Sequence, residues 1–203
     1  MDAQQKDFFA GKAQDYDSGK SRTENVANIA NLILKEINYS KDMNLMDFGS
    51  GTGLLLAKIA PYVGKITAID ISKSMIETLE NKRPTIACDL EIINLDLTKK
   101  HLNQKFDGII SSMTIHHIKD TFNLFKKFYD MLLPNGSIAL SDLDTEDGSF
   151  HKVDTNVFHH GFDRDKFLNL AKRAGFKNLN IQTVGVAKKP YGNYPVFLLT
   201  GTK

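Results

Sequence analysis

The 203-residue sequence predicts an α/β fold: a doubly wound, mostly parallel seven-stranded sheet with one antiparallel strand near the edge. Three observations predict it. Short apolar segments alternate with amphipathic helical ones, the rhythm of parallel βαβ units. The strand segments are continuous apolar runs, as expected where helices cover both faces of a sheet. The last two strands are separated only by Pro190-Tyr191-Gly192-Asn193. A turn that short joins only antiparallel neighbours.

The elements follow in order. Residues 4–17 and about 21–38 read as helices. In the second, Val26, Ile29, Ala30, Ile33, Leu34 and Ile37 recur at helical spacing, and Ser21 or Thr23 is placed to cap its start. Asn44–Phe48 is a strand running into glycines, and Gly53–Tyr62 a helix ending near Pro61. Lys65–Asp70 is a strand, after which Ser72 caps a helix that Pro84 stops. Strands are expected at Leu90–Leu95 and Phe106–Met113. The helix Thr121–Leu133 should bury Phe122, Phe125, Phe128, Tyr129 and Leu132. A Pro134-Asn135-Gly136 turn precedes the strand Ser137–Leu143. A long connection, 144–162, leads to a helix capped by Asp163 and closed by Gly175. The closing strands are about Asn178–Ala187 and Tyr194–Thr202.

Bulk composition narrows the class. Hydrophobic residues make up 41% and charged residues 25%, ordinary globular usage, and the length suits one domain. The net charge of +2, with lysines spread along the chain, argues against a nucleic-acid partner. Cys88 is the sole cysteine, which leaves no internal disulfide and fits a reducing cytoplasm. The polar first residues carry no secretory signal, and the apolar runs fall far short of the ~20 residues a membrane helix needs. A cytoplasmic protein without membrane insertion is expected.

The sharpest motif is Asp47-Phe48-Gly49-Ser50-Gly51-Thr52-Gly53, after a strand and opening a helix. Glycines there permit a tight turn and close approach of backbone to a ligand, at the sheet end where open α/β sheets bind ligands. The dinucleotide fingerprint G-x-G-x-x-G is not met, because Leu54 stands where its last glycine would be. The lysine of a phosphate-binding loop is absent too. Asp70 closes the second strand, 17 residues after Gly53, where a carboxylate can accept from both hydroxyls of a ribose. Asp96 closes the third, within reach of an exocyclic amine such as that of adenine.

This pattern resembles the class I S-adenosylmethionine-dependent methyltransferases, with their Rossmann-like sheet. Phe106-Asp107-Gly108-Ile109-Ile110-Ser111-Ser112-Met113-Thr114-Ile115-His116-His117-Ile118 is similar to a segment of their small-molecule branch, the methyltransferase type 11/12 and quinone-biosynthesis-like enzymes. Leu132-Leu133-Pro134-Asn135-Gly136 is similar to that family's turn as well. The resemblance implies S-adenosyl-L-methionine as cofactor and S-adenosyl-L-homocysteine as product. It implies that Gly49, Ser50, Gly51, Thr52 and Gly53 pass under the methionine and ribose, and that Asp47 orients the loop and the methionine amine. Asp70 would hold the ribose, Ile71 and Met75 flank the adenine, Asp96 and Leu97 read it, and Ser111 or Ser112 offer backbone groups to the methionine end. Tyr16 lies in a segment similar to the family's cofactor-closing A-x-x-Y-D.

The partner implied is a small-molecule methyl acceptor, for a monomer or homodimer. His117, then His116, are the expected catalytic bases, since they follow the fourth strand at the ligand end and a neutral imidazole can take a proton. Adjacent residues rarely aim at one point, so the alternative is that one of the pair packs or caps the next segment. Residues 144–162 are expected to form a substrate lid, over a 41–143 cofactor core, with 1–40 as a helical cap and 163–203 as a closing helix and hairpin. No metal is expected: strand four is not followed by an acid, and Asp142, Asp144, His151, His159 and His160 read as a polar loop. Competing functions are an NAD-dependent oxidoreductase and a non-catalytic S-adenosylmethionine-binding regulator.

Overall fold

The computed structural model describes residues 7–11, 13, 15–152 and 156–203. Seven strands form one sheet: β1 (Asn44–Phe48), β2 (Lys65–Asp70), β3 (Asp89–Asn94), β4 (Phe106–Ser112), β5 (Leu132–Leu143), β6 (Lys177–Lys189) and β7 (Gly192–Thr202). Their order is β3-β2-β1-β4-β5-β7-β6. Neighbours from β3 to β5 are parallel, and β7 runs antiparallel to both β5 and β6. The one reversed strand therefore sits second from the edge.

Among the described residues five α-helices cover the sheet: α1 (Lys20–Glu36), α2 (Leu54–Ile59), α3 (Lys73–Lys82), α4 (Thr121–Met131) and α5 (Arg164–Ala174). Strand side chains alternate between two cores. On one face, Leu45, Ile66, Val196 and Leu198 meet Ile29 and Ile33 of α1 and Leu56 of α2. On the other, Met46, Phe48, Phe197 and Leu199 meet Phe125 and Phe128 of α4 and Phe167 of α5. β7 supplies both layers, so it locks the sheet from within.

The caps explain several boundaries. Ser72 Oγ accepts from the Met75 N–H, and Asp163 accepts from the Lys166 N–H. Gly175 ends α5 at φ +113°, a left-handed residue that releases the chain into β6.

Some expectations are corrected. Within 4–17, residues 4–6, 12 and 14 lie outside the described residues. The described ones form turns at 7–11 and a 3₁₀ turn at Tyr16–Ser18 instead of a helix. Gly19, not Ser21 or Thr23, caps α1. The Ser21 hydroxyl donates to the Lys188 carbonyl of β6 and the Thr23 hydroxyl to the Lys20 carbonyl. The buried stripe of α4 is Thr121, Leu124, Phe125, Phe128 and Met131. Phe122 lies outward under the Arg173 guanidinium, 4.6 Å from its ring centre, and Tyr129 is only half-buried. The Pro134-Asn135-Gly136 turn lies inside β5, where the register slips between Phe106 and Gly108 and Asn135 takes φ +64°.

Candidate active site

The strand order turns between β1 and β4, which opens a crevice beyond their carboxyl ends. The glycine loop lines it. Gly49, Gly51 and Gly53 take φ of +68°, +53° and +83°, a region that favours glycine. The Gly49 and Ser50 amides donate to the Ile69 carbonyl at 2.8 and 3.1 Å, tying the loop to β2. The Gly51 amide donates to Asp70 Oδ2 at 2.7 Å, and the Ser72 amide to Oδ1 at 2.8 Å. Asp70 therefore shapes the loop and keeps lone pairs for ligand hydroxyls. A side chain at Gly49 would collide with that of Thr114, whereas one at Gly51 would meet nothing within 4 Å. Gly51 faces open space.

That space is a cavity of about 440 Å³. Its floor is electrostatically unfinished. Asp47 is fully buried, and its Oδ2 has no hydrogen-bond partner. Burial, with the nearby Asp70 charge, pushes its carboxyl up to about 8. Burial raises Asp70 too, against the opposing pull of the Ser72, Gly51 and Ile71 amides. Asn25 Oδ1, Ser50 Oγ and Ser112 Oγ are likewise buried and unpartnered, and all three residues line the same cavity. A ligand bringing a cation and several hydroxyls or amines would satisfy this set.

The segment before α1 straps the cavity. Asp7 accepts from the Ser72 and Ser74 hydroxyls at 2.9 Å, at the N-terminus of α3. Asp17 accepts from the Thr52 hydroxyl at 2.6 Å and pairs with Lys82, whose ammonium also donates to the Thr52 carbonyl at 2.9 Å. Between these anchors Tyr16 lines the cavity, with the Arg22 guanidinium 3.9 Å from its ring centre.

Three imidazoles stand together on the cavity wall. His116 is buried; its Nδ1 lies 2.7 Å from Asp142 Oδ1, and its backbone amide donates to Asp142 Oδ2 at 3.1 Å. His151 Nε2 lies 3.2 Å from His116 Nε2. The rings of His116 and His117 stand 4.2 Å apart, and Phe9 meets His117 edge-on at 5.8 Å. His116 thus packs on Asp142, and a 3₁₀ turn at Ile115–His117 brings both His116 and His117 to the cavity wall.

Of the residues expected to bind cofactor, Tyr16, Asp47, Gly49, Ser50, Gly51, Thr52, Asp70, Ile71, Met75 and Ser112 line this cavity. Asp96 and Leu97 line an adjoining hollow that shares Phe48, Ile71 and His117 with it. Gly53 caps α2 outside the lining. Ser111 lies outside the lining, on the strand face opposite Ser112, and its hydroxyl donates to the Phe48 carbonyl at 2.8 Å. In the connection 144–162, of which 153–155 lie outside the described residues, His151 and Phe150 reach the cavity. His159 turns back to the Ile118 carbonyl, His160 is exposed beside Glu146, and Asp144 pairs with Arg164. Asp142 belongs to β5. Arg22, Asn25 and Lys188 also line the cavity. Sequence reading missed them; for Arg22 and Asn25 the signal was polar positions on the apolar face of α1, and Lys188, on β6, gave none.

Comparisons with known proteins agree with this geometry. A methyltransferase domain family matches residues 20–181. An uncharacterized methyltransferase of Schizosaccharomyces pombe is 32% identical over 156 residues, covering 68% of this chain and 55% of that protein. A malonyl-[acyl-carrier protein] O-methyltransferase of Acetivibrio thermocellus is 29% identical, covering 66% of this chain and 47% of that protein. The chain thus spans about half the length of these relatives. Among solved structures, magnesium protoporphyrin IX methyltransferase from Synechocystis PCC 6803 with bound SAH superposes with a TM-score of 0.72 at 15% identity, over 97% of each chain. A SAM dependent methyltransferase from Aquifex aeolicus gives 0.72 at 19% identity, over 95% of this chain and 97% of that one. These structures share the fold. With the family match running from α1 into β6, the chain belongs to the methyltransferase domain family.

Proposed function

We propose that the protein is an S-adenosyl-L-methionine-dependent methyltransferase acting on a small-molecule acceptor and releasing S-adenosyl-L-homocysteine. One observation carries the reading: Asp47, Asp70 and the left-handed glycine loop converge, at the turn in strand order, on a cavity floored by unpartnered buried oxygens. The methionine amine belongs at Asp47 and the ribose hydroxyls at Asp70. The adenine belongs between Ile71 and Met75, its amine toward Asp96 in the adjoining hollow. Ser112, Gly51 and Tyr16 close around the methionine end. The names of the relatives support the same activity.

When bound, the cofactor supplies a methyl group already activated on a sulfonium. The protein's own work is then to hold an acceptor in line behind that methyl and to exclude water. Positioning of this kind is worth roughly 7–11 kcal/mol in favourable systems. His117, then His116, are the catalytic side chains placed against the acceptor, and the 144–162 connection serves as the lid, a role supported by Phe150 and His151 lining the same cavity. The 1–40 cap, the 41–143 cofactor core, this lid and the 163–203 closing unit act as one domain. Among the described residues no helix is long and apolar enough to cross a membrane. We place the protein in the cytoplasm, as a monomer or homodimer, with no nucleic-acid partner.

Thermal shift separates this reading from its rivals. At a hundredfold excess over its dissociation constant, S-adenosyl-L-homocysteine should stabilise the fold by about 2.7 kcal/mol and NAD should not. Stabilisation by NAD alone would overturn the reading. Asp70→Ala should abolish the shift. Product formation across an acceptor panel then distinguishes an enzyme from a cofactor-binding regulator.

A further inference from the structure

We propose that His116, His117 and His151 form a three-imidazole site for a divalent transition-metal ion of the zinc type, at the acceptor end of the cavity. One ligand nitrogen from each ring lies within 4.8 Å of the others. A tetrahedral ion with bonds of about 2.05 Å holds its ligand nitrogens about 3.4 Å apart. His116 Nε2 and His151 Nε2 already stand 3.2 Å apart. Two imidazole nitrogens that close share one proton, and an ion replaces that proton with little movement of either ring. His117, on the 3₁₀ turn beside His116, needs only a side-chain adjustment to complete the set.

The surroundings fit an ion. The Asp142 carboxylate accepts from His116 Nδ1–H, which fixes the tautomer and leaves the Nε2 lone pair facing the cluster. Asp142 is itself held by the His116 and Leu143 amides, so this support is rigid and buried. A neutral imidazole set suits zinc, iron, nickel or copper and not magnesium, which seeks oxygen. The sequence reading set His151 aside with the rest of the polar connection; the fold instead brings it together with His116 and His117, which that reading did not group with it. His151 lies on the connection and is only half-buried, which gives the ion a path in.

Three ligands leave one position open, toward the cavity. Among the described residues the counter-charge held against the cluster is Asp142, which leaves the bound ion a net positive charge. The open position therefore takes an anionic oxygen or sulfur. Resting on the proposed methyltransferase activity, this names the acceptor class: a phenolate, carboxylate or thiolate that coordinates the ion after losing its proton to solvent. The imidazoles then act as ligands and not as bases.

The test uses tag-free, chelator-stripped protein titrated with Co²⁺, read by the visible absorption of tetrahedral cobalt, with Zn²⁺ and Mg²⁺ as competitors. One Co²⁺ should bind, displaced by Zn²⁺ and not by Mg²⁺. His151→Ala and His117→Ala should each weaken it at least tenfold, while His160→Ala, exposed on the same connection, should leave it unchanged. Circular dichroism on each variant establishes folding. No saturable tetrahedral spectrum, or one that survives His151→Ala, overturns the proposal. S-adenosyl-L-homocysteine affinity measured on the same samples keeps the two claims apart. Cofactor binding without a cobalt site sinks the metal alone, and a cobalt site without cofactor binding sinks the methyltransferase reading and its acceptor class.

Discussion

Asp47 makes the affinity for cofactor a function of pH. Its carboxyl is fully buried and holds its proton up to about pH 8. A ligand ammonium placed against it would restore an ordinary carboxylate value near 4, so the complex forms with loss of that proton. Each pH unit below 8 then costs tenfold, about 1.36 kcal/mol. Between pH 8, where Asp47 is half ionised, and pH 6 the affinity for S-adenosyl-L-homocysteine should fall by roughly fiftyfold. Isothermal titration in buffers of different ionisation enthalpy should show close to one proton released per complex at pH 6, declining toward zero above pH 8. Asp47→Asn should bind weakly and lose the pH dependence. The ligand-free protein carries the mirror image. In the unfolded chain Asp47 ionises near 3.9, so between there and about 8 the folded state binds the extra proton, and stability declines as pH rises. Affinity that is flat from pH 6 to 8, with no buffer dependence, would refute the pairing of Asp47 with the ligand's amine.

Other perturbations separate fold from site. Gly49→Ala and Gly51→Ala both strain a left-handed residue, at roughly 1–2 kcal/mol. Gly49→Ala should also lower the melting temperature further through its collision with Thr114, while Gly51→Ala, whose side chain enters open space, should chiefly reduce cofactor affinity in titration calorimetry. Asp17→Ala frees the strap from Thr52 and Lys82, and should speed ligand dissociation in stopped-flow with little change in melting temperature. Asp163→Ala removes the α5 cap and should cost about 1 kcal/mol in urea unfolding with cofactor affinity intact. Phe197→Ala opens a hole beside Phe167, 5.0 Å away, and should cost about 3–5 kcal/mol.

Local chemistry made much of this legible. β1 and β2 have the predicted limits, and the Ser72, Asp163 and Gly175 caps hold, because each depends on a few adjacent residues. The α4 stripe was misphased because its aromatic residues suggested a face that Leu124 and Met131 occupy, leaving Phe122 to Arg173. Ser111 and Ser112 could not be told apart by motif: alternation puts one on each face, and only the packing of β4 against β1 decides which. The pairing of His116 with Asp142 spans 26 residues and two adjacent strands, so spacing along the chain holds no trace of it. The same is true of His151, which reaches the cavity through the path of an irregular connection.

The placement of β7 has a consequence for how the molecule is assembled. β6 is synthesised first, yet its sheet neighbour is the later β7, which must slot between β6 and the waiting edge of β5. Until it arrives, an apolar edge stays open and neither layer is sealed, since Val196 and Leu198 fill one and Phe197 and Leu199 the other. A nascent chain stalled before residue 192 therefore presents a sticky, strand-hungry surface of the kind chaperones protect.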